Sequence, residues 1–337
     1  MVSQEDLISA FCHLSSKLNQ NNQDLNDAVN QTYTNNNWLT PDNYWKSINH
    51  WKDSLTLDSI QKFISDYPMV LNPQTVGIIM AGNIPMVGFH DLLCVLLMGH
   101  KAQVKLSSDD PYVINYFIRV LISFNPKLKN RISISEKLHS IEAVIATGSN
   151  NSFRYFESYF KHLPRLLRKN RKSIAILDGS ETEKDLKLLA HDILTYFGLG
   201  CRNVSQLFIP HRIRIEDVLD AMIDYSDLIN HNKYANNYTY HKALLLMNNE
   251  QHLDTGFLLP KKRQDILAPL ACIHYDFYES IDEVEAFILQ NKEDIQCIVG
   301  NYSSTKVVPF GKAQYPDLKD FADNKNTLQF LSTLKTN

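Results

Sequence analysis

From residue 75 onward, short apolar runs alternate with segments whose apolar residues recur at helical spacing. The apolar runs predict buried strands at 76–80, 103–106, 143–146 and 173–177. The segments that follow them predict helices at 85–98, 111–124, 152–162 and 183–197. Because strands that alternate with helices in this way form parallel sheets covered by helices, the pattern predicts an α/β fold with a doubly wound parallel sheet.

The rest of the chain predicts fewer regular elements. Further strands are expected at 207–209, 243–247, 271–275 and 295–299, with a helix at 281–290. Residues 1–70 predict helices joined by polar loops. We expect three parts: an N-terminal helical segment with the first sheet domain over 1–172, a second α/β domain over 173–301, and a tail over 302–337. The tail is expected to pack back on the first domain or to form an oligomer contact.

Composition and charge exclude several classes of protein. The chain has 337 residues, 44% of them hydrophobic, which is typical of an ordinary globular protein. Its net charge of -3 provides no general electrostatic attraction to nucleic acid or anionic membranes. Its five cysteines are scattered without a CxxC pair, which argues against a disulfide framework or a structural zinc site. The N-terminus lacks the features of a signal peptide, and the most apolar window, 84–98, is too short to span a bilayer. We therefore expect a cytoplasmic protein with no membrane span, nucleic-acid partner or metal.

Three polar segments follow predicted strands, which is where ligands bind in open α/β sheets. Asn83 either caps the next helix, the commoner use of such a residue, or presents its amide to a developing oxyanion. The segment of Lys105 and Ser107 either is solvated or reaches a ribose hydroxyl or phosphate. Gly148 and Ser149 form either a simple turn and cap or a phosphate site at a helix N-terminus. The chain has neither a GxxxxGK(S/T) nor a GxGxxG motif.

The fourth segment, FGLGCRN at 197–203, places a cysteine after two glycines at the end of a predicted helix. Glycine allows a tight turn and close approach of the backbone, so Cys201 can be presented as a nucleophile. The alternative is burial in the core, a common fate of cysteine. Arg202 is a neighbouring cation that would favour the thiolate. His191 lies six residues before the end of the predicted helix at Phe197, roughly 9 Å at 1.5 Å per residue, which makes a direct Cys–His pair a poor candidate.

The order of these segments is more specific than any one of them. Asn-x-Pro after one strand, Lys-x-Ser-Ser after the next, Thr-Gly-Ser after a third and then Gly-x-Gly-Cys resembles the aldehyde dehydrogenase superfamily. The segments GIIMAGNIP at 77–85 and KLSSDDP at 105–111 are more similar to the acyl-CoA reductase family, typified by the fatty-acid reductase of bacterial luminescence. The resemblance covers residues 75–209 well and 267–300 loosely. It implies an aldehyde dehydrogenase-like fold, with a Rossmann-type cofactor domain and an α/β catalytic domain, in a homo-oligomer.

The resemblance also implies roles for the candidate residues. Cys201 would be the nucleophile, and the Asn83 side-chain amide and the Cys201 backbone N–H would donate to the oxyanion. Lys105 and Ser107 would hold the adenosine ribose region of the cofactor. Gly148 and Ser149 would lie near the cofactor pyrophosphate.

Two departures from the superfamily pattern refine the expected reaction. Hydrolytic aldehyde dehydrogenases activate water with a glutamate in a Glu-Leu-Gly-Gly segment, but the corresponding stretch 168–173, RKNRKS, has no carboxylate. A Cys201 thioester should therefore hydrolyse poorly, which favours acyl exchange with a thiol such as coenzyme A. Ser108 stands where NAD-preferring relatives often have glutamate, which favours NADPH and leaves NADH possible.

The basic run 165–172 has two interpretations. It is expected to form a solvated face, and the alternative is an anion site for coenzyme A phosphates.

These inferences predict an NAD(P)H-dependent reductase that converts an acyl-CoA thioester to an aldehyde through acylated Cys201. Two alternatives stay open. One is reduction of an acyl phosphate or an acyl carrier protein thioester on the same scaffold. The other is a non-catalytic pseudoenzyme or complex subunit that binds a nucleotide or a partner.

Overall fold

Two compact units make up the computed structural model, which describes residues 2–301 and 307–334. The first unit comprises residues up to Asn170 together with the C-terminal segment from Asp317, and the second comprises Arg171–Pro316. The predicted tail begins at residue 302, so its first five residues lie outside the described residues.

The first unit begins with four helices and continues into a parallel sheet. The helices are α1 (Gln4–Lys17), α2 (Gln23–Asn35), α3 (Pro41–Ser54) and α4 (Leu57–Ile64). The strands are β1 (Thr75–Ile79), β2 (Lys101–Lys105), β3 (Ile132–Ile134), β4 (Ala143–Thr147) and β5 (Arg165–Arg168). Helices α5 (Phe89–Leu97), α6 (Tyr112–Phe124) and α7 (Asn150–Tyr159) connect them. Among the described residues the sheet order is β3-β2-β1-β4-β5, and every pairing is parallel.

The second unit contains another parallel sheet. Its strands are β6 (Lys172–Ile176), β7 (Val204–Pro210), β8 (Leu259–Lys262), β9 (Cys272–Tyr278) and β10 (Ile295–Gly300). Its helices are α8 (Glu183–Leu194), α9 (Ile215–Asp220), α10 (Asn232–Met247) and α11 (Ile281–Asn291). In the part of this unit that the structure describes, the strand order is β10-β6-β7-β9-β8, again with every pairing parallel.

The C-terminal segment completes the core of the first unit. It contains α12 (Thr327–Ser332), whose Leu328 and Leu331 are fully buried in the same apolar cluster as α5. Helix α5 is buried along almost its whole length, because helices pack on it as well as the sheet. Within the described ranges, no helix is long and apolar enough to cross a bilayer.

Several local predictions differ from the structure. The predicted strand at 243–247 is wrong: these residues end α10, and the run AlaLeuLeuLeuMet consists of strong helix formers. The helix predicted to start at residue 85 starts at Phe89, because Met86 (φ 58°) and Gly88 (φ 92°) have left-handed backbone conformations. Strands β3, β5 and β8 were not predicted. In β5 the two buried leucines are flanked by arginines, so the apolar run is short.

Candidate active site

The candidate residues of the first unit follow three adjacent strands. Strands β1, β2 and β4 are parallel neighbours, with Ile79 in register with Lys105 and with Ala146. Their carboxyl ends therefore share one edge of the sheet. Asn83, Lys105 and Ser107, and Gly148 and Ser149, lie at this edge as predicted for a ligand-binding region of an open α/β sheet.

Asn83 lies on an irregular loop between β1 and α5, and it is exposed. Because α5 is preceded by Gly88 at its N-cap position, the helix-capping interpretation of Asn83 is wrong. The loop is fixed by a buried carboxylate: Asp110 accepts hydrogen bonds from the Tyr44 hydroxyl (2.6 Å) and the Met86 N–H (3.0 Å). Burial raises the pKa of Asp110 to about 6, against the effect of these hydrogen bonds.

Lys105 and Ser107 lie close to the same loop. Lys105 is the last residue of β2 and is exposed. The Ser107 hydroxyl accepts a hydrogen bond from the Asp109 N–H (3.2 Å). A Cβ added to Gly82 would come within 2.5 Å of this hydroxyl, so only glycine allows the two loops to approach this closely.

Gly148 and Ser149 form the entry to α7. The Ser149 hydroxyl accepts a hydrogen bond from the Ser152 N–H (3.3 Å) and caps the ten-residue helix. A Cβ on Gly148 would come within 2.8 Å of the Ser152 Cβ. The structure thus shows the predicted turn and cap, with exposed Ser149 at the positive end of the helix dipole.

Cys201 lies in the second unit, on the loop between α8 and β7. The chain reaches it through three consecutive left-handed residues, Tyr196 (φ 54°), Phe197 (φ 58°) and Gly198 (φ 76°). For the two aromatic residues this conformation costs roughly 1–2 kcal/mol each. Cys201 itself is half-buried, whereas Cys94 is completely buried within α5. Strain at an irregular turn beside an accessible cysteine is typical of a functional site.

Asn203 holds this strained loop in place. Its buried side-chain amide lies within hydrogen-bonding distance of the carbonyls of Asp192 (3.1 Å), Ile193 (3.1 Å) and Thr195 (2.8 Å) at the end of α8. Its Oδ1 accepts a hydrogen bond from the Gly200 N–H (2.8 Å). The residue just before Cys201 is therefore tied to the end of the helix through one side chain.

Lys172, the first residue of β6, contacts the loop from the sheet. Its half-buried side chain donates hydrogen bonds from Nζ to the carbonyls of Gly198 (2.7 Å) and Gly200 (3.3 Å). Loss of solvent around the ammonium lowers the pKa of Lys172 to about 8, and interaction with the Cys201 thiolate acts in the opposite direction. The neighbouring Ser173 hydroxyl donates to the Cys201 carbonyl (3.1 Å).

The basic run 165–172 is not a solvated face as a whole. Arg168 is buried and forms a two-pronged ion pair with Asp91, with Nη2 at 2.7 Å from Oδ1. Arg171 is also buried, and its guanidinium donates to the Ile295 carbonyl (3.3 Å). Both interpretations of the run are therefore wrong for these residues, because Arg168 ends β5, Arg171 directly precedes β6, and both side chains are buried. Arg165 alone among the arginines of the run is exposed.

A buried carboxylate joins the Cys201 region to a later segment of the second unit. Asp192 accepts hydrogen bonds from the N–H groups of Gly311 (2.6 Å) and Ala313 (2.9 Å). Arg202 donates its Nε–H to the Ala313 carbonyl (2.6 Å). His191 stacks on Tyr315, with ring centroids 5.5 Å apart.

We expect the stability of the protein to depend on pH through Asp192. Burial raises the pKa of Asp192 to about 7 from an ordinary value of 3.8, so the folded state holds a proton that the unfolded state loses. The contribution of Asp192 to the free energy of unfolding should therefore be greatest below about pH 4 and decline as the pH rises through about 7. Urea denaturation at pH 5 and pH 8 should show a loss on the order of 1–4 kcal/mol that is reduced in Asp192→Asn.

Asp220→Asn is the matched control, because Asp220 is exposed at the end of α9. An equal pH dependence in both variants and in the unaltered protein would contradict the assignment to Asp192.

Comparison with known structures defines the class of this fold. The structure resembles an aldehyde dehydrogenase from Mycobacterium tuberculosis solved with NAD+, with a TM-score of 0.64, 11% identity, and coverage of 89% of this chain and 73% of the other. It also resembles aldehyde dehydrogenase 21 from Physcomitrella patens, with a TM-score of 0.68, 9% identity, and coverage of 98% and 84%. The chain therefore has the aldehyde dehydrogenase-like α/β fold, and the fold prediction is confirmed.

The chain belongs to the acyl-CoA reductase (LuxC) family, whose model matches residues 19–245 and so includes Cys201. It is 25% identical over 156 residues to a long-chain acyl-protein thioester reductase of Aliivibrio fischeri. It is 24% identical over 162 residues to a second protein of that description from Photobacterium leiognathi. The matches cover 40% and 43% of this chain but 32% and 33% of these relatives, about a third of their length. The predicted family resemblance is confirmed.

Proposed function

We propose that the protein reduces an acyl thioester, with acyl-CoA as the favoured substrate, to an aldehyde through acylated Cys201. The observation that chiefly supports this is the Cys201 loop. A half-buried cysteine follows three left-handed residues, and Asn203 and Lys172 fix the loop from two sides. A core cysteine needs no such arrangement. Membership of the acyl-CoA reductase family supports an acyl thioester as the substrate.

The proposed reaction uses Cys201 twice. Its thiolate attacks the thioester carbonyl carbon, the carrier thiolate leaves with the electron pair of the broken C–S bond, and a Cys201 thioester remains. A reduced nicotinamide cofactor, when bound, would supply the hydride that converts this thioester to the tetrahedral thiohemiacetal anion. Collapse of this anion re-forms the C=O bond and breaks the C–S bond, which releases the aldehyde and returns the Cys201 thiolate.

Cofactor binding is proposed at the carboxyl edge of the first sheet, where the donors fit a dinucleotide. The N–H groups at the start of α7, beside Gly148 and Ser149, suit a pyrophosphate. The exposed ammonium of Lys105 and the hydroxyl of Ser107 suit ribose oxygens. Ser108 is neutral where a glutamate would repel a 2′-phosphate, so NADPH is proposed as the favoured cofactor and NADH as an alternative.

Asn83 is proposed as an oxyanion donor together with the Cys201 backbone N–H. Asn83→Ala should slow aldehyde formation by about 10²–10³-fold, because an oxyanion donor stabilises the tetrahedral intermediate more than the bound substrate. The melting temperature of this variant should change little, since Asn83 does not cap α5. Steady-state rates and thermal melts of Asn83→Ala should be compared with those of Asn115→Ala, a substitution on the exposed face of α6.

A loss of stability without a selective loss of rate in Asn83→Ala would indicate a structural role and would contradict the proposal.

One experiment tests the proposed function as a whole. The purified protein is incubated with acyl-CoA, acyl carrier protein thioester or acyl phosphate bearing the same acyl chain, with NADPH or NADH. Aldehyde, nicotinamide oxidation and acylated Cys201 are measured together. We expect the fastest aldehyde formation from acyl-CoA with NADPH. Faster reaction of the acyl carrier protein thioester would favour the substrate class named in the curated relatives. Absence of both aldehyde and acyl-enzyme with every substrate would leave the non-catalytic alternative.

A further inference from the structure

The ammonium group of Lys172 contacts the Cys201 loop, and the proposed reaction assigns it no role. It donates to the carbonyls of Gly198 (2.7 Å) and Gly200 (3.3 Å), and Gly200 directly precedes Cys201. A hydrogen bond between a charged donor and a backbone carbonyl is stronger than a neutral one. Lys172 therefore holds this loop from strand β6, whereas Asn203 holds the same loop from the end of α8.

The charge of Lys172 also affects the thiol–thiolate equilibrium of Cys201. The interaction between the Lys172 ammonium and a Cys201 thiolate favours both charged forms, so it must favour the thiolate as much as it favours the ammonium. Two other charged groups lie near the loop, and their hydrogen bonds are made on the side of the 311–313 segment. Arg202 donates to the Ala313 carbonyl, and Asp192 accepts from the N–H groups of Gly311 and Ala313.

The sheet side of the loop adds no opposing charge among its described contacts. The Ser173 hydroxyl donates to the Cys201 carbonyl, and its oxygen lies 3.1 Å from the Cys297 sulfur. The backbone N–H of Cys297 donates to the same oxygen (3.3 Å). These contacts place a neutral hydroxyl and a thiol beside the loop, which leaves the Lys172 ammonium as the charge that acts on Cys201 from β6.

We propose that Lys172 is a positioning residue for the nucleophile: it holds the Gly198–Gly200 backbone and its ammonium stabilises the Cys201 thiolate. The proposal rests on the proposed role of Cys201. The thiolate is present twice in that reaction, before attack on the thioester and again when the thiohemiacetal C–S bond breaks with its electron pair on Sγ. A fixed cation assists both steps, whereas the neutral Cys201 thioester between them gains little from it.

Alkylation of Cys201 by iodoacetamide tests this without any substrate. The rate at Cys201 is followed by peptide mass spectrometry across a range of pH for the unaltered protein, Lys172→Met, Lys172→Arg and Lys184→Met. Lys184 is an exposed lysine of α8 and serves as the matched control. Because the thiolate is the reactive form, the midpoint of each profile reports the thiol–thiolate equilibrium, and the plateau at high pH reports access and geometry.

We expect Lys172→Met to move the midpoint upward by about one pH unit and to slow alkylation at neutral pH about tenfold. Lys172→Arg should retain the lower midpoint, because the charge is kept. Lys184→Met should match the unaltered protein. A lower plateau with an unmoved midpoint in Lys172→Met would show a purely structural role and overturn the proposal.

The profile of the unaltered protein is a second test that needs no variant to fold. Its midpoint should lie below about 8.5, the ordinary value for a cysteine thiol, and a midpoint at or above that value would overturn the proposal. The outcome is separable from that of the proposed function. A low midpoint that rises in Lys172→Met, without acyl-enzyme formation, would support the role of Lys172 and contradict acyl reduction. Acyl-enzyme formation with an ordinary midpoint would do the reverse.

Discussion

Cys201→Ala should abolish both acyl-enzyme formation and aldehyde production. Without the sulfur no covalent acyl intermediate can form at residue 201. The substitution removes one half-buried sulfur atom, while the contacts of Asn203 and Lys172 to the loop involve backbone atoms of other residues. The variant should therefore fold. Mass spectrometry of the intact protein after incubation with a labelled acyl donor, alongside an aldehyde assay, measures both losses.

Cys272→Ala is the appropriate control for this experiment. Cys272 lies on β9, and burial raises the pKa of its thiol to about 12, so it carries almost no thiolate at neutral pH. The control should keep the acyl label and the aldehyde product. Retention of either in Cys201→Ala would place the covalent step on another residue and reject the proposed mechanism.

Arg168→Met should destabilise the first unit by about 3–5 kcal/mol. The guanidinium of Arg168 is paired with both carboxylate oxygens of Asp91, and its Nη2 also donates to the Thr327 hydroxyl (3.0 Å). All three residues are buried, so removal of the arginine leaves an unpaired carboxylate without solvent. Urea denaturation should record the loss, and the melting temperature should fall by roughly 6–20 °C.

Two further variants separate charge burial from packing. Arg165→Met changes an exposed arginine on the same strand and should change stability by less than about 0.5 kcal/mol. The double variant Asp91→Leu with Arg168→Met removes both charges and should recover much of the stability lost in the single variant. If the single and double variants were equally unstable, the loss would come from packing and not from an unpaired carboxylate.

Alternating apolar runs were sufficient to predict most of the sheet framework. The runs around Ile78, Val104, Val144 and Ala175 form strands because each is apolar enough to be buried between helices. The same signal failed at 243–247, where an apolar run of five residues fits the last turn of a helix as well as a strand. Length decides between the two, and the helix extends from Asn232 through polar residues that show little periodicity.

The placement of the candidate residues in the fold could be predicted in part. Cys201 and the residues of the three strand ends were selected as candidates because glycine, asparagine and lysine at those places differ from their apolar surroundings. Asn203 and Lys172 were missed, since their roles depend on contacts with backbone carbonyls that no local pattern reports. A lysine within a run of basic residues is expected to be exposed on the surface. Only the pairing of β6 with β7 shows that Lys172 contacts the loop before β7.

The contact between Arg168 and Thr327 has a consequence for the order in which the protein is made. The two residues are 159 positions apart, and the whole second unit lies between them in the chain. During synthesis the ribosome must deliver all of Arg171–Pro316 before Thr327 exists. The buried ion pair of the first unit therefore lacks its contact with Thr327 until the complete second α/β unit has been synthesised and is able to fold. The first unit, whose synthesis begins first, is thus the last of the two units to be completed.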